Sequence, residues 1–198
     1  MIIVGITGGI GSGKSVVSKL LTVMGYPVYE SDAEAKMIMQ TDSQVINELQ
    51  LAFGDNIFID GQLDKQHLAR EVFAHPERLQ ELNNIVHPAV KKHFRLWVQQ
   101  QKVPIIFLET AILFESGFDS ETDKAILVTA PLEVRIDREL RRDRCTREQV
   151  MQRIAQQWSE EAKARKSDYI IVNDGVHSII KQAEKITTQL KQSYSRES

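Results

Sequence analysis

Eight residues constrain the fold of this chain more than any others: Gly8-Gly9-Ile10-Gly11-Ser12-Gly13-Lys14-Ser15 has the spacing G-x-x-x-x-G-K-[ST]. That pattern works only between a strand and a helix, and both are legible. Ile2–Thr7 is a continuous apolar run rich in β-branched residues, as in a strand covered on both faces. Lys14–Met24 alternates at helical spacing and stops at Gly25, a residue suited to a helix C-terminus. Glycines let the backbone curl so that its N–H groups form an anion nest, and the helix adds free N–H groups and a positive dipole end. Lys14 can bridge the β- and γ-phosphates of a nucleotide, and the Ser15 hydroxyl can coordinate Mg²⁺. A glycine-rich turn that binds nothing would need neither the four glycines nor the Lys-Ser that follows them.

The rest of the pattern is that of an α/β protein. Pro27–Ser31 reads as a second strand and Ala33–Gln40 as a second helix, giving a βαβ opening and a parallel sheet. On this reading the first two strands are close neighbours. From Asp42 to Gln101 the periodicity is helical, with turns at Asp60-Gly61, His75-Pro76 and His87-Pro88. Val103–Leu108 and Lys124–Thr129 return to the buried-strand pattern. Leu132–Arg144 is a charged helix, and Thr146-Arg147-Glu148-Gln149 is a capping box opening the next one. Tyr169–Val172 is a last strand, Ser178–Tyr194 a terminal amphipathic helix, and Ser193–Ser198 a frayed tail. Trp97 and Trp158 default to core positions.

Composition narrows the function. With 42% hydrophobic and 26% charged residues in a 198-residue chain, disorder and fibrous classes are excluded. A net charge of −2 gives no general attraction to nucleic acid or to acidic membranes, so neither is expected as a partner. The lone Cys145 forms no intramolecular disulfide and reads as an incidental thiol in a reducing compartment. The apolar start Met1–Ile6 is too short for a signal peptide or a membrane span. The expected location is the cytoplasm.

Among nucleotide-binding proteins, a guanine-specific switch would need Asn-Lys-x-Asp, which does not occur. A slowly hydrolysing scaffold remains the rival from a different class. The pattern favours an ATP-dependent kinase of a small molecule. Arg135, Arg138 and Arg142 fall on one helical face, where they can neutralise a transferring phosphoryl group. The alternative is a solvated face paired with Asp137, Glu139 and Asp143, and Arg135 is assigned to it. Asp32 ends the second strand at the ligand-binding edge, where it can serve as general base or as helix N-cap. Glu109 ends a later strand and can hold Mg²⁺ or cap the following turn.

These motifs together resemble the dephospho-CoA kinase family. The resemblance is carried by Ile6–Ser15, Ser31-Asp32-Ala33-Glu34-Ala35-Lys36, Leu82-Asn83-Asn84-Ile85-Val86-His87-Pro88, Ile112-Leu113-Phe114-Glu115, Arg138–Asp143 and Asp168–Gly175. It implies phosphoryl transfer from ATP to the ribose 3′-hydroxyl of dephospho-CoA, with Mg²⁺. It implies catalytic roles for Asp32, Lys14 and Arg142, and ATP binding by Gly11, Ser12, Gly13, Lys14, Ser15, Val16, Arg138 and Arg142. Substrate contacts follow for Thr7, Asp32, Arg70 and His87, and metal contacts for Ser15 and Glu109. On its own residues, His87 is a turn histidine before Pro88. Glu109 stands where the family usually has Asp, and Ala111 where it has Pro. The implied fold is a three-layer α/β P-loop kinase, one domain over 1–198. Its nucleotide core is 1–40, 102–135 and 166–198, its helical CoA region 41–101, and its lid with the following helix 136–165.

Overall fold

The structure, a computed structural model, describes residues 1–143 and 145–197. In chain order it runs β1 (Ile2–Thr7), α1 (Lys14–Val23), β2 (Val28–Glu30), α2 (Ser31–Thr41), α3 (Ser43–Phe53), β3 (Phe58–Ile59), β4 (Gln62–Leu63), α4 (Lys65–Ala74) and α5 (Pro76–Gln99). It continues with β5 (Ile105–Glu109), β6 (Lys124–Thr129), α6 (Leu132–Asp143), α7 (Arg147–Ala155), α8 (Glu160–Lys166), β7 (Tyr169–Val172) and α9 (Ile179–Glu197). The chain divides into two compact units, one formed by Met1–Glu30 and the chain from Gln101 onward, the other by Ser31–Gln100.

The first unit is an α/β layered structure around a five-stranded sheet in the order β2-β5-β1-β6-β7, every pair parallel. The sheet's even-numbered side chains in β1 (Ile2, Val4 and Ile6) join Ile105, Phe107, Ile126, Val128 and Ile171 in one apolar layer. Val17 and Leu21 of α1 and Ile186 and Leu190 of α9 close that layer. On the opposite face an added Cβ at Gly5 would stand 2.7 Å from Leu113, so the chain after β5 lies hard against the sheet.

Contrary to the sequence reading, β1 and β2 are not neighbours, because β5 lies between them. The cause is burial. Ile105, Ile106, Phe107 and Leu108 are all fully buried, whereas three-residue β2 is exposed at Glu30 and sits at the sheet edge.

The second unit packs α2–α5 around Ile38, Val45, Leu49, Phe53, Leu68, Val86, Val90 and Phe94. The Asp60-Gly61 turn closes a short antiparallel hairpin, β3–β4, where only helix was expected. The expected turn at His87-Pro88 does not form, since α5 runs straight through Pro88. Val86, Val90 and Phe94 keep a buried stripe on either side of it, while Pro88 and Asn84, whose carbonyl loses its donor, are exposed to water. Arg78 ties α5 to α3, donating to the Ala52 carbonyl at 2.9 Å with its guanidinium 4.3 Å above the Phe53 ring.

Other boundaries also differ. Helix α2 begins at Ser31, so Asp32 lies inside its first turn rather than capping it. The tail expected to fray continues α9 to Glu197, and Ser198 lies outside the described residues. The predicted helix end at Arg144 also falls outside them, whereas the Thr146–Gln149 capping box forms as read. Trp158 is 42% exposed, stacked on Phe114, rather than core. No helix among the described residues is long and apolar enough to cross a membrane.

Phe107 sits in the apolar layer with no exposed surface. Phe107→Ala should therefore lower the unfolding free energy by about 3–5 kcal/mol in urea titrations. A change below about 1 kcal/mol would contradict the packing described.

Candidate active site

The parallel sheet brings the carboxyl ends of its strands to one edge, where open α/β sheets bind ligands. The Gly8–Ser15 loop leaves β1 at the centre of that edge. Gly13, the residue before α1, has φ 89°, ψ 30°, a left-handed conformation that a Cβ would strain. An added Cβ there would also stand 2.1 Å from Asn173 Nδ2, so the turn is closed sterically as well. Helix α1 opens directly after this turn, and the first N–H groups of any helix are not used by its own carbonyls.

Several side chains engage the loop's carbonyls. Arg138 donates to the carbonyls of Gly11 at 3.3 Å and Ser12 at 3.4 Å, and to that of Asn173 at 2.9 Å. Asn173 Nδ2 donates to the Ser12 carbonyl at 2.9 Å. Lys14 Nζ donates to the Gly8 carbonyl at 2.9 Å, folding its ammonium over the loop. Ser12 Oγ is buried with no hydrogen-bond partner among the described residues. Helix-start amides, an orphaned hydroxyl and an adjacent ammonium make a donor set that fits an anion such as a triphosphate.

Glu109, the last residue of β5, pairs in register with Ile6 on one side and Glu30 on the other. The β5 carboxylate therefore stands on the strand next to the loop. Ser15, in the first turn of α1, is exposed. Both offer hard oxygen donors of the kind Mg²⁺ takes alongside phosphate and water. Thr7, fully buried, donates from Oγ1 to the Ala111 carbonyl at 3.3 Å. Val16 is 49% exposed on α1.

The arginine helix differs from the sequence reading. Arg135 is not on a solvated face: it is buried and pairs with Glu160 at 2.7 Å. Glu139, expected on that same face, is buried too, and desolvation pushes its carboxyl above the usual range against the pull of Arg142. Arg142 is largely exposed and held by Glu139 at 2.7 Å and Asp143 at 2.7 Å. The Arg142 hydrogen bond, with Arg153 adding to it, holds the Asp143 carboxyl at about 2.

Asp32, Arg70 and His87 belong to the second unit. Asp32 is exposed in the first turn of α2, with only Ser31 between it and the end of β2. Arg70 is exposed on α4; the Asp64 carboxyl is held below its ordinary range mainly by the hydrogen bond it accepts from the His67 amide, with the charge of Arg70 a smaller contribution. His87 is half-buried on α5.

Residues that sequence reasoning left without a role include Asn173 and Gln157. Asn173 follows the last strand at the ligand edge, a position that could have flagged it. Gln157 lies between two helices with no pattern around it.

Residues 2–178 match the family model described as dephospho-CoA kinase. A dephospho-CoA kinase of Bacteroides fragilis is 48% identical over 180 residues, covering 90% of this chain and 88% of that protein. The crystal structure of TT1252 from Thermus thermophilus superposes with a TM-score of 0.85 at 38% identity, covering 95% of this chain and 96% of that one. A dephospho-CoA kinase from Campylobacter jejuni shares the fold, with a TM-score of 0.69 at 23% identity and coverage of 96% and 98%.

Burial, with the charge of Lys91 adding to it, holds the His87 imidazole below its ordinary pKa. The unfolded chain therefore takes up this proton first, and folding stability must fall as pH drops below about 6.5 toward the folded value. His87→Gln should flatten that part of the stability profile, measured as urea midpoints between pH 7.5 and 5.5. Identical slopes in the two proteins would remove His87 as the cause.

Proposed function

The chain belongs to the dephospho-CoA kinase family, and from that premise we propose how its residues divide the work of the reaction. The reaction moves the γ-phosphoryl group of ATP to the ribose 3′-hydroxyl of dephospho-CoA and yields coenzyme A and ADP. The observation that carries the assignment is the loop itself, with its carbonyls engaged by Arg138 and Asn173 and Lys14 folded over it.

Gly11, Ser12, Gly13, Lys14, Ser15 and Val16 bind the triphosphate, the amides and the Lys14 ammonium offsetting its charge. Arg138, already on the carbonyls of Gly11 and Ser12, joins them in binding ATP. Arg142 is the lid arginine: its exposed guanidinium leaves Glu139 and Asp143 to meet the transferring group. Ser15 and Glu109 hold Mg²⁺. Magnesium, when bound, neutralises charge on the phosphate oxygens.

Asp32 is the general base. Its carboxylate accepts the proton of the 3′-hydroxyl and aligns that oxygen for in-line attack. Support comes from its position one residue past Ser31 at the end of β2, where the chain leaves the ligand edge. Thr7 contacts the acceptor from the end of β1, and Arg70 and His87 bind dephospho-CoA from α4 and α5. The region 41–101 holds that substrate, and 136–165 is the lid with its following helix. Both substrates are water-soluble and Cys145 is the only cysteine, which supports a cytoplasmic location.

Asp32→Asn should lower kcat by roughly two to four decades while Mg-ATP affinity stays within about twofold, the signature of a lost base. The assay is formation of the 3′-phosphorylated product from dephospho-CoA and Mg-ATP. Near-normal turnover in the variant would exclude Asp32 from proton transfer. Lys14→Ala should weaken both ATP binding and transfer.

A further inference from the structure

The phosphate loop has a second support, reached through a residue with no role so far in catalysis. Ile10 is gripped through both of its own main-chain polar groups. Its N–H donates to Gln157 Oε1 at 2.9 Å, and its carbonyl accepts from Arg135 Nε at 2.9 Å. Arg135 then donates from Nη1 to Glu160 Oε1 at 2.7 Å, and the other Glu160 oxygen accepts from the Thr129 hydroxyl at the end of β6. Arg135 also fills the space under the loop: a Cβ added at Gly9 would stand 2.2 Å from its Nη2. Three residues after Glu160 on α8, the buried Lys163 donates to the Ala111 carbonyl at 2.9 Å and pairs with Glu115 at 2.8 Å. That same carbonyl accepts the Thr7 hydroxyl.

We propose that Gln157 and Glu160 are positioning residues for ATP: acting on Ile10, Gln157 directly and Glu160 through Arg135, they set the orientation of the peptides that shape the anion nest. A loop that binds through backbone amides gains affinity when those amides are held in place beforehand, because ordering them on binding costs free energy. Among the described residues, no main-chain hydrogen bond supplies that hold at Ile10. A guanidinium suits the task because its rigid, planar fork serves two acceptors at once in fixed directions, here a carbonyl and a carboxylate. The two positioning side chains lie on either side of the turn that opens α8, within the 136–165 stretch assigned to the lid and its following helix, so the loop's geometry is tied to where that segment packs.

The inference rests on the loop being the ATP site, and the two can be tested apart in the full-length chain. In Gln157→Ala, KM for ATP and the Mg-ATP dissociation constant by calorimetry should rise about three- to tenfold, the effect of one lost hydrogen bond. The KM for dephospho-CoA should stay unchanged and kcat within about twofold. Glu160→Gln should act in the same direction, with Glu161→Gln, its exposed neighbour, as the unaffected control. A purely structural role would lower the melting temperature and the active fraction yet leave KM for ATP unaltered, and that result overturns the proposal. Should Glu160→Gln fail to fold because Arg135 loses its partner, Gln157→Ala alone decides. If Lys14→Ala binds Mg-ATP like the wild type, the loop assignment itself fails. If Lys14→Ala loses ATP while Gln157→Ala does not, only the positioning role fails.

Discussion

Phosphate recognition by main-chain amides depends on something else fixing the peptides of the same loop. In this chain that task falls on two guanidinium groups and two amide side chains from distant parts of the sequence. Arg138 and Asn173 engage Gly11 and Ser12, while Arg135 and Gln157 engage Ile10. Without them, ordering a loop with four glycines would draw on the binding free energy of every nucleotide that enters. Burying Arg135 to do this is costly in isolation, and Glu160 at 2.7 Å offsets the cost.

The sheet explains why these contacts can converge. With β1 between β5 and β6, the loop emerges flanked by the ends of both neighbours, Glu109 on one side and Thr129 on the other. An edge position for β1 would have left it supported from one side only. The buried run Ile105–Leu108 secures the central placement, because a strand that apolar is stable only when covered on both faces.

Much of this was legible in the residues. The strand, glycine loop and helix at the start follow from β-branched periodicity and a motif with a physical mechanism, and Lys124–Thr129 and Tyr169–Val172 form as read. Other features were hidden because they depend on tertiary partners. Nothing local distinguishes Arg135 from Arg142, since both carry the same charge pattern on one helix. Only packing shows that one is buried on Glu160 and the other is exposed beside Asp143. The proline at 88 suggested a break, yet the flanking buried stripe outweighs one missing hydrogen bond on a wet face. Strand order was misjudged because sequence adjacency says nothing about a later strand that slots between the first two.

That late insertion has a consequence for how the chain is made. Strand β1 leaves the ribosome long before both of its hydrogen-bonded neighbours, β5 and β6, which begin only at Ile105 and Lys124. For most of synthesis its apolar backbone waits with unmet edges, a state prone to aggregation. The intervening Ser31–Gln100 unit, compact in itself, can gain structure during that interval. The Gly8–Ser15 loop, by contrast, meets its partner Asn173 only after β7 has been made.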